Sequence, residues 1–275
     1  MKGRAIWWIF ILAINSVCGQ DLAETLALAS SNLKSGQLSE AEIMYRRVAY
    51  FDTTNIYEEQ TIEGLAHISY MQGRFDEASG YFLSLSRISA NRLHYYYHVL
   101  SLMKGERWML AKAALLSSTD SSPNVLISKE IMLGLIEFGL RDFERSEQHF
   151  GEAKKLLATD IDDEKIFINV KKVNRKNRTK AIILSGLLPG LGQAYSGHYK
   201  EGVNSFFLIS AIGLVYYYTL TNVGILDAII SVLPWVHRYY VGGMNTAAEL
   251  VDDFKDDKLL VHYNDLVILY GGFID

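Results

Sequence analysis

Four stretches of this sequence carry residue types able to do chemistry, and each can be set against a structural role. His94 and His98 stand at i and i+4 in His94-Tyr-Tyr-Tyr-His98, a spacing that puts two imidazoles on one helical face and can hold a metal. No third ligand is near them in sequence, so the pair reads as packed side chains, as do His67 and His149, and no metal is expected. Ser185-Gly-Leu-Leu-Pro-Gly-Leu-Gly-Gln-Ala-Tyr-Ser-Gly197 is glycine-rich enough to be mistaken for a phosphate cradle. It lacks the Lys-Ser/Thr ending of a P-loop and no Rossmann strand precedes it, so no cofactor is expected either. Asp227 interrupts a long apolar run, and an acid inside a membrane is a functional candidate by default. The competing reading places it at a hairpin turn near the interface, just after Gly224. Cys18 is the single cysteine, which excludes an intramolecular disulfide and a multi-Cys metal site. The residues before it, Asn15-Ser16-Val17, do not follow the lipobox pattern that acylation requires. No Ser/His/Asp set or pair of carboxylates emerges, and the chain is not expected to be an enzyme.

The elements that must position these residues are helical and partly apolar. Gly202 through Leu226 carry no Asp, Glu, Lys or Arg, and about 18–20 such residues suffice to cross a bilayer. The expected spans are Val203–Thr221 and Ile225–Gly243, with a turn at Thr221-Asn-Val-Gly224. Tyr216–Tyr218, Trp235 and Tyr239-Tyr240 fall where an aromatic belt belongs. Pro189-Gly190 breaks any helix continuing from the apolar Ala181–Leu188, which makes that segment a re-entrant or interfacial element. Immediately before it, Lys171–Lys180 holds six cations in ten residues, a juxtamembrane collar suited to anionic headgroups.

At the other end, Met1-Lys-Gly-Arg4, the apolar Ala5–Leu12 and the residues Val17-Cys18-Gly19 have the layout of a secretory signal peptide cleaved after Gly19. Export puts the collar on the outer side, against the usual cytoplasmic bias of Lys and Arg. Cleavage removes Lys2 and Arg4 from the 27 basic residues and leaves 25 against 31 acidic, a balance of −6. That is no nucleic-acid footprint.

Between these ends the sequence repeats itself. Gly36-Gln-Leu-Ser-Glu-Ala41-Glu-Ile-Met-Tyr45 aligns with Gly73-Arg-Phe-Asp-Glu-Ala78-Ser-Gly-Tyr-Phe82. A third copy is Glu106-Arg-Trp108-Met-Leu-Ala111-Lys-Ala-Ala-Leu115, and a fourth Arg141-Asp-Phe143-Glu-Arg-Ser146-Glu-Gln-His-Phe150. The small residue recurs at Ala41, Ala78, Ala111 and Ser146, where two helix axes approach closely and a larger side chain would overpack. This pattern resembles the tetratricopeptide repeat. The resemblance covers about 20–158 and implies stacked helix pairs with a concave groove for a peptide or partner helix. The first two copies keep the turn glycine, while Glu106 and Arg141 stand in its place in the others. His94–His98, with its three tyrosines, can either line such a groove or pack between repeats.

The motif Pro189, Gly190, Gly192, Gln193, Tyr195, Gly197 resembles the Pro-Gly-x-Gly-Gln-x-Tyr-x-Gly signature of small bacterial TM2-like membrane hairpins. Tyr239-Tyr-Val-Gly-Gly-Met-Asn-Thr-Ala247 is similar to their closing aromatic-glycine segment. The resemblance implies architecture and location more than activity.

The expected chain is therefore all-α: a signal peptide at 1–19, a short tetratricopeptide-like solenoid at 20–158, a charged junction at 159–180, a membrane hairpin module at 181–250 and a tail at 251–275. The tail's Leu259–Phe273 can pack on the repeats, pair as a short strand or line an interface. The expected function is a membrane-anchored adaptor of the bacterial cell envelope. Its repeats face the exported, periplasmic side, and its partners are a protein or peptide and the lipid membrane, with no nucleic acid. The alternative is a small transport or assembly factor in which Asp227, Gln193 or His237 faces the interior of an oligomerised hairpin.

Overall fold

The computed structural model describes residues 21–118, 122–159 and 161–274; the expected signal peptide lies outside the described residues. Among the described residues every regular element is helical, so the fold is all-α. Two compact units divide the chain, one running to Leu140 and the other from Arg141 to Ile274. This division falls immediately before the fourth sequence copy, which opens at Arg141.

The first unit holds α1 (Leu22–Lys34), α2 (Leu38–Phe51), α3 (Glu58–Met71), α4 (Phe75–Ile88), α5 (Leu93–Lys104), α6 (Trp108–Ser117) and α7 (Pro123–Gly139). Each helix packs on its neighbours in sequence, and α1 also touches α3. The reason lies in the spacing of the second helix of each pair. Leu38, Phe75 and Trp108 open α2, α4 and α6; the small Ala41, Ala78 and Ala111 follow one turn later with no exposed surface; Tyr45, Phe82 and Leu115 follow one turn beyond and are buried. Positions i, i+3 and i+7 share a helical face, so each helix turns one apolar stripe into the core. The opening aromatics fit over glycines at the end of the following helix: a Cβ on Gly139 would lie 2.5 Å from the Trp108 ring, and one on Gly105, the C-cap of α5, would lie 3.2 Å from Phe75 Cβ.

The turns inside the pairs share one backbone device. Gly36 and Gly73 have φ of 80° and 76°, and Glu106 and Arg141 take the same left-handed region at 57° and 64°. At the first three of these turns the following amide reaches back: Gln37 to the Asn32 carbonyl at 2.9 Å, Arg74 to Ser69 at 2.8 Å and Arg107 to Leu102 at 2.8 Å. These are the six-to-one hydrogen bonds that close a helix when the next residue is left-handed. The turn geometry therefore persists where the glycine is missing, because satisfying the orphan carbonyls outweighs the cost of a left-handed side chain, about 1–2 kcal/mol.

The second unit holds α8 (Phe143–Leu157), α9 (Glu164–Asn174), α10 (Arg178–Leu187), α11 (Leu191–Ser196), α12 (Tyr199–Asn222), α13 (Ile225–Tyr270) and a closing 3-10 turn. Ser146, the small residue of the fourth copy, is fully buried in α8, as is Phe150 one turn on. The 46 residues of α13 make a rod of roughly 70 Å, and it packs on α9, α10, α11 and α12. Two sequence boundaries vanish in it. The second expected span, Ile225–Gly243, has no end at Gly243, and the tail after residue 250 continues as the same helix. Leu259, Leu266 and Tyr270 are buried, and the Tyr270 hydroxyl donates to Asp163 Oδ2 at 2.6 Å while Lys154 Nζ bonds Oδ1 at 2.6 Å. These contacts hold the end of α13 to the loop before α9. The charged junction is likewise largely helical, forming α9 and the start of α10.

Glu106 is exposed and left-handed, so Glu106→Gly should stabilise the first unit by about 1 kcal/mol, while Gly73→Ala should destabilise it by a similar amount. Denaturant midpoints of the detergent-solubilised chain measure both; a destabilising Glu106→Gly would contradict the turn assignment.

Candidate functional site

Two places gather the residues singled out above. The first is the junction of α10, α11, α12 and α13, where the Pro189–Gly197 motif lies. Leu188 ends α10 in an extended conformation and Pro189-Gly190 turns the chain. Gly190 has φ of 96°, and a Cβ there would fall 2.1 Å from the Gly202 carbonyl oxygen. Gly192 is equally confined: its Cβ would lie 2.2 Å from the Ala181 carbonyl oxygen, 2.4 Å from Ser185 Oγ and 2.8 Å from Ala247 Cβ. Backbones of three helices thus approach to distances that no side chain permits.

The polar members of the motif satisfy one another within this junction. Gln193 is 2% exposed, which demands partners for its amide. Ser185 Oγ donates to Gln193 Oε1 at 3.0 Å and accepts from the Gly192 amide at 3.1 Å. Gln193 Nε2 donates across to the Gly243 carbonyl at 2.8 Å, and Ser196 Oγ donates to the Gln193 carbonyl at 2.7 Å. Tyr240 Oη donates to the Gly186 carbonyl, tying α13 to α10 as Gln193 ties it to α11. Gly197 closes α11 in the left-handed region.

Tyr195 faces the basic collar. Its hydroxyl accepts from the Asn177 amide at 3.2 Å, its carbonyl accepts from Lys176 Nζ at 2.7 Å, and its ring lies 5.4 Å from Lys176 Nζ and 5.2 Å from Lys180 Nζ. Lys176 also sits 4.0 Å over the Phe254 ring, and burial pulls its pKa down. Two further collar cations meet acids of the same unit: Arg178 pairs with Asp252 at 3.0 Å and Lys171 with Glu147 at 2.7 Å. Much of the expected headgroup collar is thus engaged by the protein itself. The hydroxyls and the amide of the junction are engaged with one another, and they position helices.

Asp227 is remote from that junction. It stands exposed in the first turn of α13, close over the Gly224 turn, where a Cβ would meet its Oδ2 at 3.5 Å. A carboxylate there is favoured by the positive end of the helix.

The second place is a cleft of about 450 Å³ in the first unit, between α1 and α3. Ala23, Leu26, Ala27, Ser30 and Leu33 of α1 face Gln60, Glu63, Gly64 and His67 of α3, with Tyr57 at one end and Tyr45 as floor. The Tyr45 ring occupies the space that a Cβ on Gly64 would fill, coming within 2.2 Å of it. Burial pushes the Tyr45 phenol up, and the neighbouring Glu63 carboxylate adds to the rise. Burial lowers the His67 pKa, which Glu63 partly offsets. Sequence reasoning missed this cleft, although the i, i+3, i+4, i+7 positions of α1 and α3 were there to be read.

The Tyr-rich stretch divides. His94 is 4% exposed, and its Nδ1 has no hydrogen-bond partner. His98 Nδ1 lies 2.9 Å from both Ser79 Oγ and the Ser79 carbonyl, and burial lowers its pKa. Tyr97 is exposed and stacks on Phe82 at 5.2 Å. Among the described residues no group of three or more His, Cys, Asp or Glu could hold a metal ion.

No protein-family model matches the chain, and no curated protein or solved structure matches it either.

Two outcomes follow from this geometry. Gly190→Ala should cost about 3 kcal/mol through steric conflict with the α12 backbone, and Gln193→Leu about 1–3 kcal/mol through stranded polar groups. Gly213→Ala, in open space on α12, should not destabilise; limited proteolysis and thermal unfolding in detergent compare the three, and an equal response from all would contradict the junction's role. His67 and His98 have folded pKa values below the unfolded value of about 6.5, so the unfolded state binds more protons. The stability they contribute is present above that value and is lost as pH falls through the depressed folded pKa. Unfolding midpoints should therefore drop between about pH 7.5 and about pH 5, and less so in the double variant His67→Gln/His98→Gln.

Proposed function

We propose that this protein is a non-enzymatic adaptor of the bacterial cell envelope, exported through its N-terminal signal, whose repeats form a short solenoid that binds a protein or peptide. The paired α12 and the first part of α13 are its membrane hairpin. The observation that carries the reading is the exposure of α12. Among the described residues it is the one helix long and apolar enough to cross a membrane, and none of its apolar window is buried within the chain. A core hairpin of a water-soluble protein would bury that surface, since each apolar side chain left in water forgoes about 1.5–3 kcal/mol. Phe206, Phe207, Leu214 and Val215 of α12 and Ile230, Leu233 and Trp235 of α13 all remain exposed.

The dimensions fit the same reading. The 24 residues of α12 span about 36 Å, against a hydrocarbon core of about 30 Å. Ser205 and Gly243 lie equally far along the chain from Gly224, and a Cβ on Gly243 would come 3.1 Å from Ser205 Oγ. The two arms therefore run antiparallel, with the glycine junction at their base and Asp227 at their tip. An acid at the tip meets the far interface rather than the bilayer centre, which favours an anchor over a transport path. The adaptor works by capture and confinement: tethering raises the local concentration of a bound partner at the membrane.

Carbonate washing of membranes from expressing cells tests the anchor. The full chain should stay in the pellet. Phe207→Asp/Leu214→Asp changes only exposed positions and should leave the helical fold intact while moving much of the protein to the wash. Release of the unaltered chain by carbonate would overturn the proposal.

A further inference from the structure

The cleft between α1 and α3 carries a charge that the fold does not use. Glu63 is half-buried on its wall, one turn before His67, and among the described residues no cation pairs with it and no hydrogen bond engages it. A carboxylate that has given up part of its hydration without a partner is poised to gain from a cation brought to it. Its surroundings suit such a guest. Tyr45 and Tyr57 present aromatic groups to the cleft, and Leu26, Ala27 and Leu33 give an apolar wall for an aliphatic stem. The Tyr45 ring is held against Gly64, where a Cβ would come within 2.2 Å of it. Glu59, one turn earlier on α3, adds a second negative charge on the same helical face.

The shape of the cleft sets the size of the guest. It follows α1 from Ala23 to Leu33, about 15 Å at 1.5 Å per residue, which matches four or five residues of extended chain at about 3.3 Å each. We infer that the cleft holds an extended peptide of the partner and that Glu63 takes its lysine or arginine side chain. This inference rests on the adaptor reading and gives that partner a chemistry: a basic segment, not an acidic one.

The full chain in detergent micelles can be titrated with N-acetyl-Ala-Ala-Arg-Ala-amide and with the same peptide carrying citrulline or glutamate in place of arginine. Perturbation of the Tyr45 and Tyr57 ring signals reports occupancy. The arginine peptide should bind on the order of tenfold more tightly than the citrulline peptide, as one charge-assisted hydrogen bond would give, and the glutamate peptide more weakly still. Glu63→Gln should erase the preference for arginine over citrulline, whereas Glu59→Gln should largely keep it. An unchanged thermal midpoint of Glu63→Gln shows that its fold is intact. If all three peptides bind alike, or if Glu63→Gln keeps the preference, the basic-side-chain inference is overturned and the groove of the adaptor stands. If none of the peptides binds, the inference falls together with the peptide-binding half of the adaptor reading, while membrane retention is unaffected.

Discussion

A carbonyl oxygen of Gly202 lies where any side chain on residue 190 would have to begin. That single close approach governs the second unit. It lets α11 cross the start of α12, which in turn brings Gln193 within reach of the Gly243 carbonyl and Gly192 against both Ala181 and Ala247. Once these backbones are in contact, the buried amide and hydroxyl groups have partners, and α13 is held at its midpoint by two elements far away in sequence. The hairpin on one side of that midpoint can then present apolar surface outward, while the other side packs through Val251, Leu259 and Tyr270. Small residues at the crossing are needed for contact rather than flexibility.

The first unit depends on a different constraint, the left-handed residue that closes the first helix of each pair. Gly36, Gly73 and Glu106 adopt it there, and only two of them are glycine. The stripe of small and large apolar residues fixes how the second helix must lie, and the chain accepts a strained Glu106 to bring it there. Ion pairs connect successive pairs, half-buried for Arg74 with Glu42 and exposed for Arg107 with Asp76; an exposed pair contributes little, about 0–1 kcal/mol. The packing stripe carries the architecture.

These two constraints also explain what the sequence reveals and what it hides. The stripe is local, so Ala41, Ala78, Ala111 and Ser146 could be aligned by eye and the all-α class read from them. The turn was legible only where glycine marks it; nothing in the types Glu106 or Arg141 announces positive φ. The motif at Pro189–Gly197 stands out by composition, but its contacts with Gly202, Gly243 and Ala247 join segments distant in sequence, and no spacing rule supplies them. Leu259–Phe273 has an apolar pattern compatible with several elements, and its helical state follows from continuity with α13 and from the Tyr270–Asp163 bond. Glu63 escaped notice because its significance lies in what is missing around it, a property of the cleft and not of the chain. The basic character of the collar is plain in the sequence, yet its acidic partners Asp252 and Glu147 sit in other helices.

The central claim is that the outer surface of α12 faces lipid. Nitroxide labels placed singly at Phe207, Leu214 and Tyr218, in a chain whose Cys18 is replaced by serine and reconstituted into vesicles, measure it by collision with oxygen and with a water-soluble nickel complex. The account predicts oxygen contact highest and nickel contact lowest at Leu214, near the middle of the expected span Val203–Thr221, with the nickel complex better able to reach the labels at Phe207 and Tyr218 toward its ends. Equal, high nickel contact at all three positions would place α12 in water and contradict the account.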